Sequence, residues 1–133
     1  FDGGILYYNS KQQIMRFSGA NTPLFVIQND KLKTIKGDRY SVGYKKCDAN
    51  YEYTDHEIDT SIPTQIYLTT DGYLDQNGGE KEFPFSKKRF SKLIDTHHAE
   101  SFADQKEILL HELHKYQGTH ERNDDVTVVG LKV

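Results

Sequence analysis

Apolar and polar positions alternate in short runs over the first half of the chain, and the period changes after Gly72. Residues 5–8 and 14–17 flank the polar stretch 9–13, which has the length of a hairpin loop. Residues 23–27 and 32–35 flank a tight turn at Asn29-Asp30, a pair that tolerates left-handed backbone. Two consecutive antiparallel hairpins are expected, joined by the breaker-rich link 19–23. A longer loop, 37–50, carries Gly37, Gly43, Lys45 and Lys46 and leads to a fifth strand at about 51–58, where Tyr51 and Tyr53 alternate with Glu52 and Thr54. A sixth strand, 66–70, runs into Asp71.

Beyond Gly72 the apolar residues recur every three or four positions. Phe90, Leu93, Ile94 and His97 fall on one face of a helix that Ser86 can cap. Phe102, Leu109, Leu113 and Tyr116 line a second helix, capped by Ser101 with Asp104 three residues on and ended near Gly118. Two such helices must cover a sheet face, which gives an α+β class with antiparallel sheets packed against helices. The last strand, 126–133, is apolar on both sides, so a central position in its sheet is expected. No internal repeat, low-complexity tract or interdomain linker interrupts residues 1–133.

Composition narrows the function classes. Hydrophobic residues make up only 35%, yet nine Tyr and seven Phe supply large side chains for a core, so a folded domain is expected. A net charge of −3 with scattered Lys and Arg lacks the basic stripe that a phosphate backbone requires, so no nucleic-acid partner is expected. No apolar run approaches the roughly 18 residues of a membrane span. The one cysteine, Cys47, forms no internal disulfide, which fits a reducing, cytoplasmic setting. A chain that opens on Phe1 without an initiator Met reads as a piece of something longer.

Two acidic motifs carry the candidate chemistry. Ile66-Tyr67-Leu68-Thr69-Thr70 runs into Asp71-Gly72, and Asn123-Asp124-Asp125 runs out into the apolar strand that starts at Val126. Both sets of carboxylates are thereby held at the rim of a buried sheet, where hard divalent cations such as Mg²⁺ and Mn²⁺ find oxygen ligands on rigid mounts. Asp-Gly is also an ordinary turn pair and Asn-Asp-Asp an ordinary loop, so spacing alone leaves both readings open.

Four motifs in order resemble the C-terminal half of SpoIIE-type phosphatases of the protein phosphatase 2C-like superfamily. They are Gly-Ala-Asn-x-Pro-Leu at 19–24, Lys-Gly-Asp-Arg-x-Ser-Val-Gly-Tyr at 36–44, Thr-Asp-Gly-Tyr-Leu-Asp-Gln-Asn-Gly-Gly at 70–79 and Asp-Asp-Val-Thr-Val-Val-Gly at 124–130. The resemblance implies part of a four-layer sandwich, two antiparallel sheets between pairs of helices, with a two-metal centre at one edge. It implies hydrolysis of phosphoserine or phosphothreonine by water activated at Mn²⁺ or Mg²⁺, with Asp71 and Asp124 ligating the same ion, and leaves Cys47 without a role. It further implies a phosphorylated signalling protein as substrate, of the STAS type, and a sensor domain upstream in the parent chain. Family members carry a metal-bridging Gly-Asp motif about a hundred residues upstream, followed by a Gly-His-Gly turn, and 1–133 contains neither. Asp2-Gly3 matches a linker position. The chain is therefore expected to be a single partial domain, inactive by itself, with bared sheet edges that favour a homodimer.

Other signals are weaker. His111, His114 and His120 lack the four-residue spacing around Glu that a zincin helix needs, and His97-His98 suits the carbonyl end of a helix dipole. Lys45-Lys46 and Lys87-Lys88-Arg89 read as solvated faces or as contacts for a phosphorylated partner. Tyr67 and Tyr73 read as packing residues, and 75–79 as a flexible loop beside the site. A non-catalytic partner-binding module with a degenerate phosphatase fold remains the competing reading.

Overall fold

The computed structural model describes residues 1–43, 48 and 50–133; Lys45, Lys46 and Cys47 lie outside the described residues. The first hairpin pairs β1 (Gly3–Asn9) with β2 (Ile14–Ala20), and β5 (His56–Asp59) adds to the other side of β2. The second hairpin pairs β3 (Leu24–Gln28) with β4 (Lys31–Ile35) through Asn29 and Asp30, both at positive φ as the turn requires. β6 (Thr64–Thr69) joins β3, and β9 (Val128–Lys132) joins β6, so the second sheet runs β4-β3-β6-β9.

Alternation along the strands then builds two cores. Leu24 and Val26 of β3 and Ile66 of β6 meet Met15 and Phe17 of β2 between the sheets. Phe25, Ile27 and Tyr67 point the other way and meet Phe90 and Ile94 of α2 (Lys87–His97) and Leu113 of α3 (Phe102–Gln117). β3 and β6 are thus buried on both faces, which is why residues 24–27 and 66–68 are apolar without alternation. Ser101 accepts a hydrogen bond from the Asp104 amide at 3.1 Å and donates to its carboxylate, closing the start of α3. The helices cover only the four-stranded sheet. Ile5 and Tyr7 stand 73% and 57% exposed on the far side of the three-stranded one.

Three expectations need correction. The apolar strand at the C-terminus is the outer strand of its sheet: β9 pairs only with β6 among the described residues. Its two apolar faces reflect neighbours above and below, with Phe102 against Gly130 on one side, and carry no information about pairing at its open edge. The fifth strand begins at His56, later than the alternation of 51–58 suggests. Tyr51 stacks on Tyr40 at 4.2 Å, and Asp38 accepts hydrogen bonds from the Thr54 amide and hydroxyl, so loop contacts satisfy this segment in place of a ladder. Finally, 75–79 is no loose loop. Gln76 is fully buried, and β7 (Asn77–Gly78) pairs with β8 (Phe83–Pro84).

Candidate metal centre at the strand ends

β6 ends at Thr69 and the chain turns at once into α1 (Asp71–Leu74). Thr70, between them, ties this turn to the strand beside it. Its amide donates to the Thr127 carbonyl at 3.0 Å, its hydroxyl accepts from the Thr127 amide at 3.0 Å, and the same hydroxyl donates to the Asp125 carbonyl at 3.1 Å. The hydroxyl therefore makes no capping bond to α1 and instead fixes the approach of the 125–127 backbone.

Gly72 completes that approach. A Cβ on residue 72 would stand 2.3 Å from the Asp125 carbonyl oxygen and 3.2 Å from the Asp124 carbonyl carbon. The two acidic motifs are in backbone contact. Just past α1, the Gln76 side chain donates to the Glu121 carbonyl at 2.9 Å and accepts from the Asn123 amide at 3.2 Å. Asn123 in turn donates to the Asp75 carbonyl at 2.8 Å. In the sequence Gln76 stood only within the 70–79 motif and Asn123 only at the head of an acidic one, and neither signalled that its side chain would tie the two segments together.

The carboxylates themselves differ. Asp71 is exposed, and among the described residues its side chain has no hydrogen bond or ion pair. Asp124 is also exposed, and one of its oxygens accepts from the Asp125 amide at 2.7 Å. Asp71 and Asp75 line a cavity of about 380 Å³ together with Asp2, Asn21 and Lys87, while Asp124 stands outside its wall.

Asp2 is therefore nearer the candidate site than a linker position suggests. Hydrogen bonds from Ser41 and from Asn21, the latter at 3.1 Å, hold its carboxyl below the usual carboxylate range. This explains two of the motifs. The Asn21 amide donates to the Asp38 carbonyl and the Asp38 amide to the Gly19 carbonyl, both at 2.8 Å, and Gly37 lies so close to the Thr22 carbonyl that a Cβ there would meet it at 2.5 Å. The motif at 19–24 and residues 36–43 pack against each other at the cavity rim.

Tyr67 and Tyr73 pack, as their positions suggest. The Tyr67 hydroxyl donates to Gln105 at 2.6 Å and burial pushes its pKa up to about 12; Tyr73 donates to the Leu109 carbonyl at 2.8 Å and is pushed up by burial as well.

Hard oxygen donors on exposed, rigidly mounted side chains suit a divalent ion that keeps most of its waters. They do not form a closed cage. Among the described residues no three His, Cys, Asp or Glu side chains gather closely enough to hold an ion, and His111, His114 and His120 belong to no such group.

Two facing antiparallel sheets with helices on one of them match the architecture of phosphatase 2C-like domains. The chain belongs to the SpoIIE family: the family model described as Stage II sporulation protein E matches residues 4–133. The SiaA-PP2C domain of Pseudomonas aeruginosa is similar at a TM-score of 0.88 and 29% identity, over 99% of this chain and 51% of that one. The phosphatase domain of the cell fate determinant SpoIIE from Bacillus subtilis, presoaked with Mn, is similar at a TM-score of 0.73 and 11% identity, over 100% of this chain and 56% of that one. A second structure of that Bacillus subtilis domain gives a TM-score of 0.70 at 11% identity, over 98% and 57%. The chain thus spans about half the length of the solved domains it matches. No match to a curated protein was found. Phosphatases of the 2C type are metal-dependent.

Proposed function

We propose that the chain forms part of a metal-dependent protein phosphatase acting on phosphoserine or phosphothreonine, with Asp71 and Asp124 holding Mg²⁺ or Mn²⁺. The observation that carries this reading is the packing of Gly72 on the 124–125 backbone, which starts both carboxylates from touching segments at one end of a sheet. When bound, divalent ions supply the positive charge that activates water and neutralises phosphoryl oxygens. The residues of this chain do the holding. Thr70 and Gln76 fix the two backbones, and Lys87 on the cavity wall offers a cation to a phosphate oxygen.

Two carboxylates are too few for a two-metal centre, so this chain by itself binds such ions weakly and needs the remainder of a full-length domain for turnover. The substrate in this reading is a phosphorylated signalling protein, of STAS type by family resemblance, met in the cytoplasm by a parent chain that carries a sensor upstream. The alternative is a partner-binding module with a degenerate phosphatase fold. It is favoured by the lack of a three-ligand cluster among the described residues.

Manganese-dependent hydrolysis of para-nitrophenyl phosphate separates the two, measured for this chain and for one extended upstream. Activity confined to the longer form, and lost in Asp71→Asn and Asp124→Asn, is the expected outcome; activity in neither supports the module.

A further inference from the structure

A second groove, of about 460 Å³, lies between α2 and α3, away from the acidic turns. Its apolar lining comes from Phe85, Leu93 and Tyr116, and its charged lining from Arg89, Lys92 and Lys115 against the single acid Glu112. Glu112 pairs with Lys115 at 3.8 Å, which leaves Arg89 and Lys92 without a carboxylate among the described residues. Arg89 is nevertheless held in place. Its guanidinium lies over the Tyr116 ring at 4.5 Å and donates to the Pro84 carbonyl at 3.5 Å.

The helix bearing these cations is built against its own dipole. Lys87, Lys88 and Arg89 occupy the first turn of α2, where backbone amides already present partial positive charge, and no acidic residue accompanies them. Such a concentration of cations runs against a chain whose net charge is −3. Local conflict of this kind is a mark of a site kept for a ligand.

We propose that the α2–α3 groove docks an acidic segment of a protein partner, with an apolar side chain on the Phe85–Leu93–Tyr116 floor and carboxylates against Arg89 and Lys92. Charge complementarity selects the occupant, and a pre-oriented Arg stacked on an aromatic ring is the kind of residue that anchors it. Lys87 lines the acidic cavity while Arg89, two residues on, lines the groove, so the start of α2 is a wall common to both. The partner is then the phosphoprotein substrate, and in naming it so the proposal rests on the phosphatase reading; the docking itself does not.

The test is fluorescence anisotropy with a labelled peptide that has a Leu-Phe centre and Asp/Glu flanks, and with a matched peptide whose flanks are Lys. The chain is expected to bind the acidic peptide, more weakly as salt rises, and to ignore the basic one. Arg89→Glu with Lys92→Glu is expected to weaken binding about tenfold or more. Lys92→Glu alone, at an exposed position with no partner among the described residues, is expected to weaken it about threefold and keeps the test valid if reversal at Arg89 loosens the helix. Lys11→Glu with Lys36→Glu makes the same change of net charge at exposed positions outside the groove and is expected to leave affinity unchanged. Asp71→Asn is also expected to leave it unchanged, so failure of the phosphatase reading and failure of docking are read out separately. No binding by the unaltered chain, equal binding of both peptides, or equal losses from the groove and control reversals overturns the proposal.

Discussion

Asp125 occupies the space in which a side chain on residue 72 would stand, and this contact, together with the Thr70 and Gln76 hydrogen bonds, joins the two halves of the candidate site. Replacing Gly72 by Ala must push the 124–125 backbone away, at about 1–3 kcal/mol for overpacking against groups that cannot fold aside. In a chain extended upstream, as the phosphatase reading requires, Gly72→Ala is expected to lower hydrolysis more than tenfold, measured with para-nitrophenyl phosphate at saturating Mn²⁺. Gln76 acts on the same pair of segments from beneath. Gln76→Leu keeps the volume but strands the Glu121 carbonyl and the Asn123 amide, so a loss of about 2–4 kcal/mol is expected in a denaturant melt. At this scale the placement of Asp71 and Asp124 beside strand ends was legible, since an apolar run that stops or starts at acidic residues marks the rim of a sheet. Gln76 and Asp2 were not. Their importance comes from partners 45 residues away in the first case and 19 in the second, which local pattern cannot report.

Among the elements, α2 carries a contact whose strength depends on pH. His98, at its C-terminal end, bonds the Asp95 carbonyl at 2.7 Å through Nδ1 and reaches Asp30 in the β3–β4 turn at 3.2 Å through Nε2. The Asp95 hydrogen bond, aided by Asp30 and opposed by partial burial, raises the His98 pKa above its ordinary 6.5. Since the folded value is the higher one, the stabilisation is fully present below pH 6.5 and fades as pH climbs through the folded value. Amide exchange in the last turn of α2 and in the Asn29-Asp30 turn is therefore expected to quicken, beyond its intrinsic pH dependence, as pH rises above 6.5 and through the raised folded value. Asp30→Asn should reduce that change. Hairpins and helix ends were readable from the chain because turn and cap residues act on their immediate neighbours: Asn29 and Asp30 take positive φ, and Ser101 meets Asp104. β5 was misplaced because stacking of Tyr51 on Tyr40 is a tertiary contact that imitates strand alternation.

For the whole molecule, both sheets stop on the same flank. Gly3 and Gly4 of β1 and Val129 of β9 wall one cavity, so one outer strand of each sheet lies beside the other, with Val129 and Leu131 45% and 44% exposed. Open edges of this kind attract further strands. In solution this chain is expected to form a dimer that grows with concentration in sedimentation velocity, and Val129→Lys with Leu131→Lys is expected to return it to a monomer. A single monomeric boundary for the unaltered chain at high concentration contradicts this. The two-sided apolar pattern of 126–133 had suggested a central strand, and it misled because facing neighbours and edge neighbours leave the same mark on side-chain choice.

The claim beneath all of these is that Asp71 and Asp124 serve one cation, and paramagnetic line broadening by Mn²⁺ in the amide spectrum of this chain tests it most directly. The account predicts that resonances of 71–72 and 124–125 broaden together at the lowest Mn²⁺ additions and that Asp71→Asn abolishes the effect at both. Broadening at one motif alone, or persistence at 124–125 in the Asp71→Asn chain, would contradict it.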